Sequence, residues 1–564
     1  MDKKALTAIV LSVFVVIIYQ TYFAPPRPPK QPDTTIRETT AAPDAKQVMT
    51  PAPVARQAMA TAPERKAPVL AKAKPAAVPV VIPGKEIAVD TKLYKAVFTT
   101  KGGALKSFKL KDYRKTLAKD AELIELVQVK EGMPGPLGMT FSESDIAVPA
   151  DGMYETDTTA LDLIKTPERN RLTLSQTYPD QIKVEKIYTF DPSGYNLELE
   201  VRVYNLSGAP INQKALLSWH EYVDPKTKTD SYTHEGPVIF VAKSVEREDV
   251  KKITQEKIFG PDVSWGGFET KYFIAAMIPQ NPSLTSLVVS QDSRNMVSTS
   301  LKGPKHLIPA GQAGSFSYTL FLGPKDHSIL KALGVGLENA IDFGSWMKWL
   351  AMPMLVVLKY INNFVNNYGI TIIILTILIK IAFWPLGNKS YKSMKEMQKL
   401  QPQMTALREK YKGDKQKIGQ ETMALYKAHK VNPLGGCLPM VVQIPVFFGL
   451  YNTLMYAIEL RHAPLFLWIQ DLSAPDTLFG HIPSLIPVIG GFALGPLPIV
   501  MGATMFIQQK MSPPSGEAMQ QKIMLIMPVV FTFLFLDFPS GLVLYWLFNN
   551  IISIGQQYYI MKKK

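Results

Sequence analysis

The chain has 564 residues, with 62 basic and 47 acidic side chains and a formal net charge of +15. Its mean hydropathy is near zero, but this value averages a polar middle and a largely apolar C-terminal part. The pattern excludes a single globular domain and favours a membrane protein with a large water-soluble insert. The single cysteine, Cys437, excludes an internal disulfide and a metal cluster held by several thiolates.

The first apolar segment lies at the N-terminus. Residues 5–23 follow Met1-Asp-Lys-Lys4 and are succeeded by Pro25 and Pro26, with no small-x-small cleavage site. We therefore predict an uncleaved membrane anchor over residues 1–23. Residues 24–83 contain 13 prolines and 14 alanines, a composition that cannot bury a core and predicts an extended, semi-rigid linker.

From about Gly84 the sequence changes to short segments of alternating apolar and polar residues. Residues 182–190 and 195–203 alternate on either side of the turn formed by residues 191–194 (DPSG), which predicts a β-hairpin. Similar segments recur to about Phe321. We predict that residues 84–335 form an all-β, antiparallel sandwich outside the membrane.

This predicted sandwich shows little sign of an enzymatic site. Its adjacent His–acid pairs are residues 220–221, 234–235 and 326–327, and neighbouring strand residues point to opposite faces of a sheet. We expect solvated polar positions there, rather than catalysis or metal binding. The chain also lacks a phosphate-cradling GxxxxGK[ST] loop, so no nucleotide or other cofactor is expected.

Residues 336–368 are predicted to contain an amphipathic helix between the sandwich and the membrane. Two tryptophans and several apolar residues recur at helical intervals, which favours a helix that lies in the interface on the external side of the membrane crossed by the spans. A core helix that caps the sandwich is the alternative. The stripe consists of Trp346, Trp349, Leu350, Met354, Leu355, Leu358 and Ile361.

Five further apolar segments lie in the C-terminal part, residues 369–564. They are 14 to 22 residues long, and the 18 residues of the first one would extend about 27 Å as a helix, close to the thickness of the hydrocarbon core of a bilayer. Together with the anchor they predict six spans in an α-helical transmembrane bundle. The segments are residues 369–386, 437–458, 495–508, 523–536 and 542–560, the third of them preceded by an apolar lead-in at 482–494.

Lysine and arginine counts predict the orientation of these spans. Between Leu386 and Asn432 there are eleven basic and four acidic residues, which indicates a cytoplasmic loop. Both termini then lie in the cytoplasm, and residues 24–368 lie outside, in a periplasm. Within the cytoplasmic loop, apolar residues spaced by three and four predict a helical hairpin over residues 388–431, with one helix over 388–411 and a second after Gly413. Its basic exterior serves topology, and binding of anionic lipid, RNA or a partner remains open.

Lys380 lies inside the otherwise uncharged segment 369–386. A charge near the centre of a span costs about 3 kcal/mol on insertion scales, so a lysine there suggests a function. The alternative is that its long side chain extends to the interface. Thr376 lies four residues earlier on the same helix face. Other predicted spans also carry polar residues, which predict a wet recess in the membrane, although such residues usually join helices. Two of these polar residues are Gln443 and Asn549.

Five short segments of the C-terminal part form a specific combination. They are residues 430–440 (KVNPLGGCLPM), 443–447 (QIPVF), 459–461 (ELR), 519–523 (MQQKI) and 538–545 (FPSGLVLY). Together they resemble the YidC/Oxa family of membrane protein insertases. The whole chain is similar to the Gram-negative form of that family, which has a large periplasmic domain between its first two spans.

This resemblance implies a non-enzymatic protein that inserts nascent membrane proteins into the inner membrane and helps them fold, alone or beside the Sec translocon. It also implies a β-supersandwich in the periplasm and a positive residue, usually arginine, in a hydrophilic groove that is open to cytoplasm and lipid. Lys380 aligns with that residue, and lysine differs from arginine because it is a point charge. Thr376, Gln443, Trp546 and Asn549 are the other expected groove residues.

The basic hairpin is expected to recruit the ribosome or client through charged side chains. These are Lys389, Lys392, Lys399, Arg408 and Lys410. Two other classes of function remain as alternatives. A secondary transporter would also place a charge in a bundle of broken helices, but we find no internal repeat of the kind expected for one. A membrane-anchored carbohydrate-active enzyme would place its function in the sandwich.

Overall fold

The computed structural model describes residues 69–70, 84–226, 233–344, 346–432, 438–483, 490–512 and 518–562. The predicted anchor over residues 1–23, Cys437 and nearly all of the predicted linker over 24–83 lie outside these residues. A β-rich part comes first and a helical part follows it. This order confirms the predicted division into a β domain and a C-terminal helical part.

Strands occupy the first part of the described chain. In order they are β1 (Val69–Leu70), β2 (Glu86–Asp90), β3 (Tyr94–Thr99), β4 (Ala104–Arg114), β5 (Leu123–Glu125), β6 (Gly138–Phe141), β7 (Ile146–Ala147), β8 (Ala160–Asp162), β9 (Arg171–Tyr178), β10 (Ile182–Phe190), β11 (Asn196–Asn205), β12 (Ile211–Tyr222), β13 (Gly236–Val241), β14 (Ser244–Arg247), β15 (Lys257–Phe259), β16 (Val263–Glu269), β17 (Phe273–Pro279), β18 (Ser286–Gln291), β19 (Met296–Ile308) and β20 (Ala313–Pro324).

Helices occupy the rest. In order they are α1 (His327–Ala332), α2 (Lys348–Val365), α3 (Tyr368–Ala382), α4 (Trp384–Lys399), α5 (Gln401–Lys410), α6 (Lys415–Ala428), α7 (Leu438–Tyr456), α8 (Pro496–Met511), α9 (Ala518–Phe535) and α10 (Ser540–Lys562).

Three sheets of five or more strands form the β domain. Their strand orders are β14-β13-β16-β17-β20-β11-β10-β9, β15-β18-β19-β12-β6 and β5-β4-β3-β2-β8. The predicted hairpin is confirmed, since β10 pairs antiparallel with β11 and Ile182 faces Asn205. The expectation of a wholly antiparallel domain is wrong for two pairs. β2 pairs parallel with β8, and β1, inside the predicted linker, pairs parallel with β7.

Glu221 belongs to one of the His–acid pairs for which the sequence predicts solvated polar positions, and for this residue the prediction is wrong. Glu221 is buried in β12, where its carboxylate accepts a 3.0 Å hydrogen bond from Nε1 of Trp219. Burial raises the pKa of Glu221 well above its ordinary value, although the Trp219 bond opposes this shift. The alternation of the strand places both residues inside, because positions two apart share a face. Glu221 therefore belongs to the core together with Trp219.

Helix α2 has two apolar faces rather than the single predicted stripe. Met354, Leu355 and Leu358 are buried, and α2 packs against α7 and α3. Trp349 and Phe364 are among its exposed residues, with 69% and 72% of their surfaces accessible. One apolar face of α2 therefore packs against other helices, and the second apolar face is exposed among the described residues. That second face suits the predicted interface position.

An ion-pair chain joins the β domain to the helices. Asp326 follows β20 and caps α1 by accepting hydrogen bonds from the backbone N–H groups of Ser328 and Ile329. Its carboxylate lies 3.0 Å from Nζ of Lys359 in α2, and the same Nζ lies 2.9 Å from Glu459, which follows α7. Burial alone would lower the pKa of Lys359, but Glu459 and Asp326 raise it above its ordinary value. Lys359 thus bridges two carboxylates from separate parts of the chain.

Replacing Lys359 with methionine is expected to loosen this junction, because two half-buried carboxylates lose their shared cation. We expect amide hydrogen exchange in α1 to become about tenfold faster, which corresponds to ~1.4 kcal/mol. The control is Lys165→Met, since Lys165 pairs with Asp162 at 2.9 Å on the exposed surface. An exchange rate in α1 that stays the same in Lys359→Met would show that packing alone holds the junction.

Two predicted helix boundaries, at the end of segment 369–386 and within the predicted hairpin, are wrong. The segment predicted as one span over 369–386 ends as helix α3 at Ala382, and α4 begins at Trp384 after a bend of 64°. The single helix predicted over 388–411 is divided at Leu400 into α4 and α5. Pro385 and Pro402 each lie in the first turn of the following helix, where proline is tolerated, whereas the residue before proline is disfavoured in a helix.

Among the described residues, no single helix is both long and apolar enough to count as a membrane span, and only the bent pair of α3 and α4 satisfies the length and hydropathy requirements together. The number of spans therefore stays a prediction. Helix α10 lies at the centre of the helical part and contacts α3, α4, α7 and α8.

Helices α8 and α9 approach each other closely at Gly502. A Cβ atom at this position would lie 1.9 Å from Oγ1 of Thr532. We expect Gly502→Ala to destabilise the protein by about 1–3 kcal/mol through overpacking, measured as a lower midpoint of thermal unfolding in detergent. The double variant Gly502→Ala, Thr532→Ala should recover part of the loss. Gly555→Ala is the control, because no atom lies within 4 Å of its added Cβ. Equal effects of Gly502→Ala and Gly555→Ala would contradict this packing argument.

Candidate functional site

Lys380 lies in the last turn of α3 and its side chain faces α10. Helix α3 begins at its N-cap residue Asn367, whose side chain accepts a hydrogen bond from the N–H of Ile370, and ends two residues after Lys380. Nζ of Lys380 donates a 2.6 Å hydrogen bond to Oγ of Ser553 in α10. Lys380 is partly buried, and within the described part of the chain no carboxylate forms an ion pair with it. The site therefore holds a cation without a fixed counter-ion.

A hydrogen-bonded chain extends from Lys380 to α7. The hydroxyl of Ser553 accepts from Lys380 and donates to the backbone carbonyl of Asn549 at 2.7 Å. The side-chain Oδ1 of Asn549 in turn accepts a 2.8 Å hydrogen bond from Nε2 of Gln443 in α7. Three predicted groove residues, Lys380, Gln443 and Asn549, thus belong to one polar cluster that spans three helices. Ser553 links them.

Trp546 begins the same face of α10, one turn before Asn549. Its indole contacts three phenylalanine rings, with centroid distances of 4.8 Å to Phe447, 5.3 Å to Phe535 and 6.3 Å to Phe531. These rings come from α7 and α9. The predicted site residue Trp546 therefore lies in an aromatic cluster next to the polar one.

Gln556 extends the polar face toward the C-terminus of α10. Its Nε2 donates to Oδ1 of Asn388 at 2.9 Å and to the backbone carbonyl of Trp384 at 3.2 Å. Sequence analysis did not select Gln556, Asn388 or Ser553 as site residues. The signal was present, because positions 546, 549, 553 and 556 are spaced by three, four and three residues and so share one helix face.

Thr376 takes no direct part in the cluster. It is fully buried, and its Oγ1 donates a 2.7 Å hydrogen bond to the carbonyl of Ile372 in its own helix. Its spacing of four residues places it on the Lys380 side of α3, but its hydroxyl is already satisfied. A threonine in this position commonly returns its hydroxyl to the preceding turn.

The predicted recruitment residues lie on α4 and α5. Lys389, Lys392 and Lys399 follow one side of α4, and all three are exposed. Lys399 pairs with Glu396 at 2.7 Å, an exposed i,i+3 pair that adds little stability. On α5, Lys410 is exposed and lies over the ring of Tyr411, whereas Arg408 is partly buried. These residues form a basic surface on the part of the chain that the charge counts predict to be cytoplasmic.

The described residues contain no group of three or more His, Cys, Asp or Glu side chains that is suited to hold a metal ion. The site instead combines one cation, several neutral hydrogen-bonding groups and an aromatic cluster. Such an arrangement can bind polar and anionic groups reversibly and hold apolar groups beside them.

Comparisons with known proteins cover the whole chain. Residues 360–564 match a family model described as 60Kd inner membrane protein, and residues 86–357 match the YidC periplasmic domain. A protein of Syntrophus aciditrophicus named membrane protein insertase YidC is 62% identical, and the alignment covers 100% of both chains. A protein of the same name from Pelobacter propionicus is 41% identical and is aligned over 100% of this chain and 99% of its own.

Solved structures give a weaker match. The crystal structure of an active YidC insertase with its first transmembrane domain resolved is 21% identical to this chain, with a TM-score of 0.36. The alignment covers 85% of this chain and 93% of that structure.

Proposed function

This chain belongs to the YidC family of membrane protein insertases, and we propose that it inserts its clients along the polar and aromatic face of α10. It is a non-enzymatic inner-membrane insertase with a periplasmic β-rich domain. The predicted family resemblance is confirmed. The transporter alternative receives no support from these relatives.

The hydrogen-bonded chain from Lys380 through Ser553 and Asn549 to Gln443 is the main support for this proposal. It places a cation and several neutral polar groups between helices that are otherwise apolar. Polar groups at such a depth are costly unless they serve one another or a ligand. A client segment in transit is a ligand that needs such groups only briefly.

The polar face provides the first step of insertion. A short polar tail of a client would leave the cytoplasm beside Gln556 and Asn388 and exchange its hydrating water for hydrogen bonds to this face. Desolvation of unpaired polar groups in a dry bilayer is the main barrier to their transfer. A hydrated face across part of the membrane lowers that barrier.

Lys380 provides the second step. Since it has a neutral hydroxyl as its partner and no ion pair among the described residues, an acidic side chain of the client tail can approach it without displacing a counter-ion. The attraction is transient because the ammonium of Lys380 can form its hydrogen bond to Ser553 again once the client tail has passed. Lys380 thus acts as a temporary counter-charge for acidic client tails.

The aromatic cluster provides the last step. Trp546 and its three phenylalanine neighbours offer an apolar surface beyond the polar groups, so the hydrophobic client segment is held next to lipid. Burial of that segment in the bilayer then drives release. No chemical reaction and no nucleotide are needed for the cycle.

Six spans and the predicted orientation belong to this proposal. Helices α3, α7, α8, α9 and α10 are assigned as spans two to six, and the anchor over residues 1–23 as span one. The exposed cations of α4 and α5 support a cytoplasmic location for the loop that carries them. Both termini are then cytoplasmic and residues 24–368 periplasmic.

Partners beyond the client follow from the same basic surface. We propose that the ribosome and anionic lipid bind the cations of α4 and α5 through phosphate groups, since lysine and arginine side chains are the usual ligands of phosphate. The Sec translocon is proposed as a further partner on the family resemblance alone.

The proposed function can be tested with the purified full-length protein in liposomes. The client is a small single-span protein with a short acidic tail, and translocation of the tail is measured by its protection from added protease. We expect a higher protected fraction than in empty liposomes, without any nucleotide. Equal protection in both preparations would refute autonomous insertion of this client.

A further inference from the structure

Residues 462–495, which we call the outer loop, connect α7 to α8 on the side of the membrane opposite the basic hairpin. The loop has no lysine or arginine, and its acidic residues are only Asp471 and Asp476. This composition is unusual for a loop of an otherwise strongly basic chain. A loop with so few charged residues is suited to contact a surface that is less polar than water.

The underside of the outer loop is joined to the ends of the helices. The carbonyl of Leu465 accepts a 2.7 Å hydrogen bond from the side chain of Asn367, the N-cap of α3. The carbonyl of Ala474 accepts a 2.8 Å hydrogen bond from the N–H of Ser540, where α10 begins. The loop therefore lies at the level where α3 and α10 leave the membrane, opposite Gln556.

Both acidic side chains of the loop are turned toward the protein. Asp471 accepts hydrogen bonds from the N–H and Oγ of Ser473, at 2.8 and 2.7 Å. Asp476 is buried and accepts from Nε1 of Trp468 at 3.1 Å and from the N–H of Leu497, at the start of α8, at 2.9 Å. The two carboxylates are thus held by hydrogen bonds within the protein, and the outer surface of the loop's described residues, 462–483 and 490–495, carries no carboxylate or basic side chain of lysine or arginine.

The outer surface instead carries large apolar side chains at two tips. The first tip is Phe466–Leu467 and the second is Leu478–Phe479, and all four side chains are at least half exposed. Leu467 is 72% exposed, and its φ of +59° lies in the left-handed region that a leucine rarely adopts. In water this arrangement would strain the backbone at Leu467 and expose apolar surface without a compensating favourable contact.

A lipid surface fits these tips better than a protein partner does. They surround the ends of helices assigned as spans, and Phe364, exposed on α2, lies three residues before Asn367 at the same end. The apolar surface is therefore continuous with the region where the helices meet the bilayer. Apolar side chains without charge are stable at the boundary between headgroups and acyl chains.

We propose that the tips Phe466–Leu467 and Leu478–Phe479 insert into the outer leaflet and hold the outer loop over the ends of the spans. This inference rests on the proposed function, because it takes α3, α8 and α10 as membrane spans.

The test uses full-length protein with Cys437→Ser and one new cysteine labelled with an environment-sensitive fluorophore. The cysteines are Leu467→Cys and Phe479→Cys at the tips, Gln470→Cys at an exposed polar position of the same loop, and Ile377→Cys at an exposed apolar position of α3. Each protein is reconstituted without partners in liposomes whose lipids carry a spin label either near the headgroup or near the end of the acyl chain.

We expect the shallow spin label to quench the probes at 467 and 479 several-fold more than the probe at 470. We expect the deep spin label to quench the probe at 377. If 377 is quenched but the tips behave like 470, the tips lie outside lipid and the inference is wrong, while the assignment of α3 as a span stands. If the tips show blue-shifted emission without quenching, protein covers them, which also overturns the inference. If 377 is not quenched, the span assignment fails together with the inference that depends on it.

Discussion

Lys380→Ala and Lys380→Met are expected to insert clients with acidic tails about tenfold more slowly than the unmodified protein, a rate loss of ~1.4 kcal/mol. Two opposite charges about 4 Å apart at an effective dielectric constant of about 20 attract by roughly 4 kcal/mol. A third of that attraction, realised as the tail passes Lys380, is enough for the expected effect. The measurement is the time course of protease protection in liposomes.

Lys380→Arg should retain most of the activity, because the proposed role needs a positive charge near Ser553 and no special geometry. Ser553→Ala is the matched control for position, since it removes the hydroxyl partner and leaves the charge. Its effect should be smaller than that of Lys380→Met. A client with a neutral tail should be inserted equally well by all variants.

If Lys380→Met and the unmodified protein insert the acidic client at equal rates, Lys380 has no role in insertion. The alternative interpretation would then hold, in which its long side chain only extends to the membrane interface. A loss with Lys380→Arg as large as with Lys380→Met would instead indicate that a positive charge alone is not enough and that the compact ammonium of lysine is required beside Ser553.

The free energy of unfolding of the β domain is expected to rise with pH because of Lys186. This residue of β10 is fully buried, and its Nζ lies within hydrogen-bonding distance of the carbonyls of Gly102, Gly103 and Leu137, at 3.0, 3.0 and 2.8 Å. Gly102 and Gly103 lie between β3 and β4, and Leu137 directly precedes β6. Lys186 therefore connects all three large sheets.

Burial lowers the pKa of Lys186 from 10.5 to about 7. Between these two values the unfolded chain holds a proton that the folded domain has released, so stability rises with pH. Each pH unit within this range adds about 1.4 kcal/mol, and a rise of about 2 kcal/mol is expected from about pH 8 to about pH 9.5. Stability is lost again as pH falls toward 7.

Lys186→Met should remove this pH dependence, because methionine has a similar length and does not titrate. At high pH the variant should also be less stable than the unmodified protein, because the neutral amine of Lys186 still donates up to two hydrogen bonds to the buried carbonyls and methionine donates none. Each carbonyl left without a donor costs about 1–3 kcal/mol. The measurement is urea denaturation of the full-length protein in detergent at several pH values. Unfolding of the β domain is detected as increased cleavage by an added protease.

Lys183→Met is the control on the same strand. Lys183 points outward and pairs with Glu185 at 2.7 Å, so its removal should leave the pH dependence unchanged. If Lys186→Met and the unmodified protein show the same slope, Lys186 keeps its proton in the folded domain. The three carbonyl acceptors would then outweigh the effect of burial.

The family, the division into a β domain and helices, and the hairpin of β10 and β11 could all be predicted from the sequence. These features depend on local periodicity and on short motifs, which are read directly along the chain. Helix boundaries were predicted less well. At Trp384 and Gln401 the competition between helix continuation and a nearby proline depends on how the following helix packs.

The candidate site shows the same limit. Residues 546, 549, 553 and 556 share a face of α10 because the helix has 3.6 residues per turn, and this much is contained in the sequence. That Ser553 meets Lys380, and that Asn549 meets Gln443, follows from the packing of α10 against α3 and α7. Thr376 lies on the Lys380 side of α3, but its hydroxyl donates to a carbonyl of its own helix, which residue spacing does not predict.

Lys186 separates the two kinds of information most clearly. The alternation of β10 places it on the same face as Val184 and Tyr188, so the sequence alone determines that a lysine faces the interior. Its acceptors come from turns 49 to 84 residues away. Only the tertiary structure brings those carbonyls together, because contacts between distant segments are set by the packing of the three sheets and not by any local pattern.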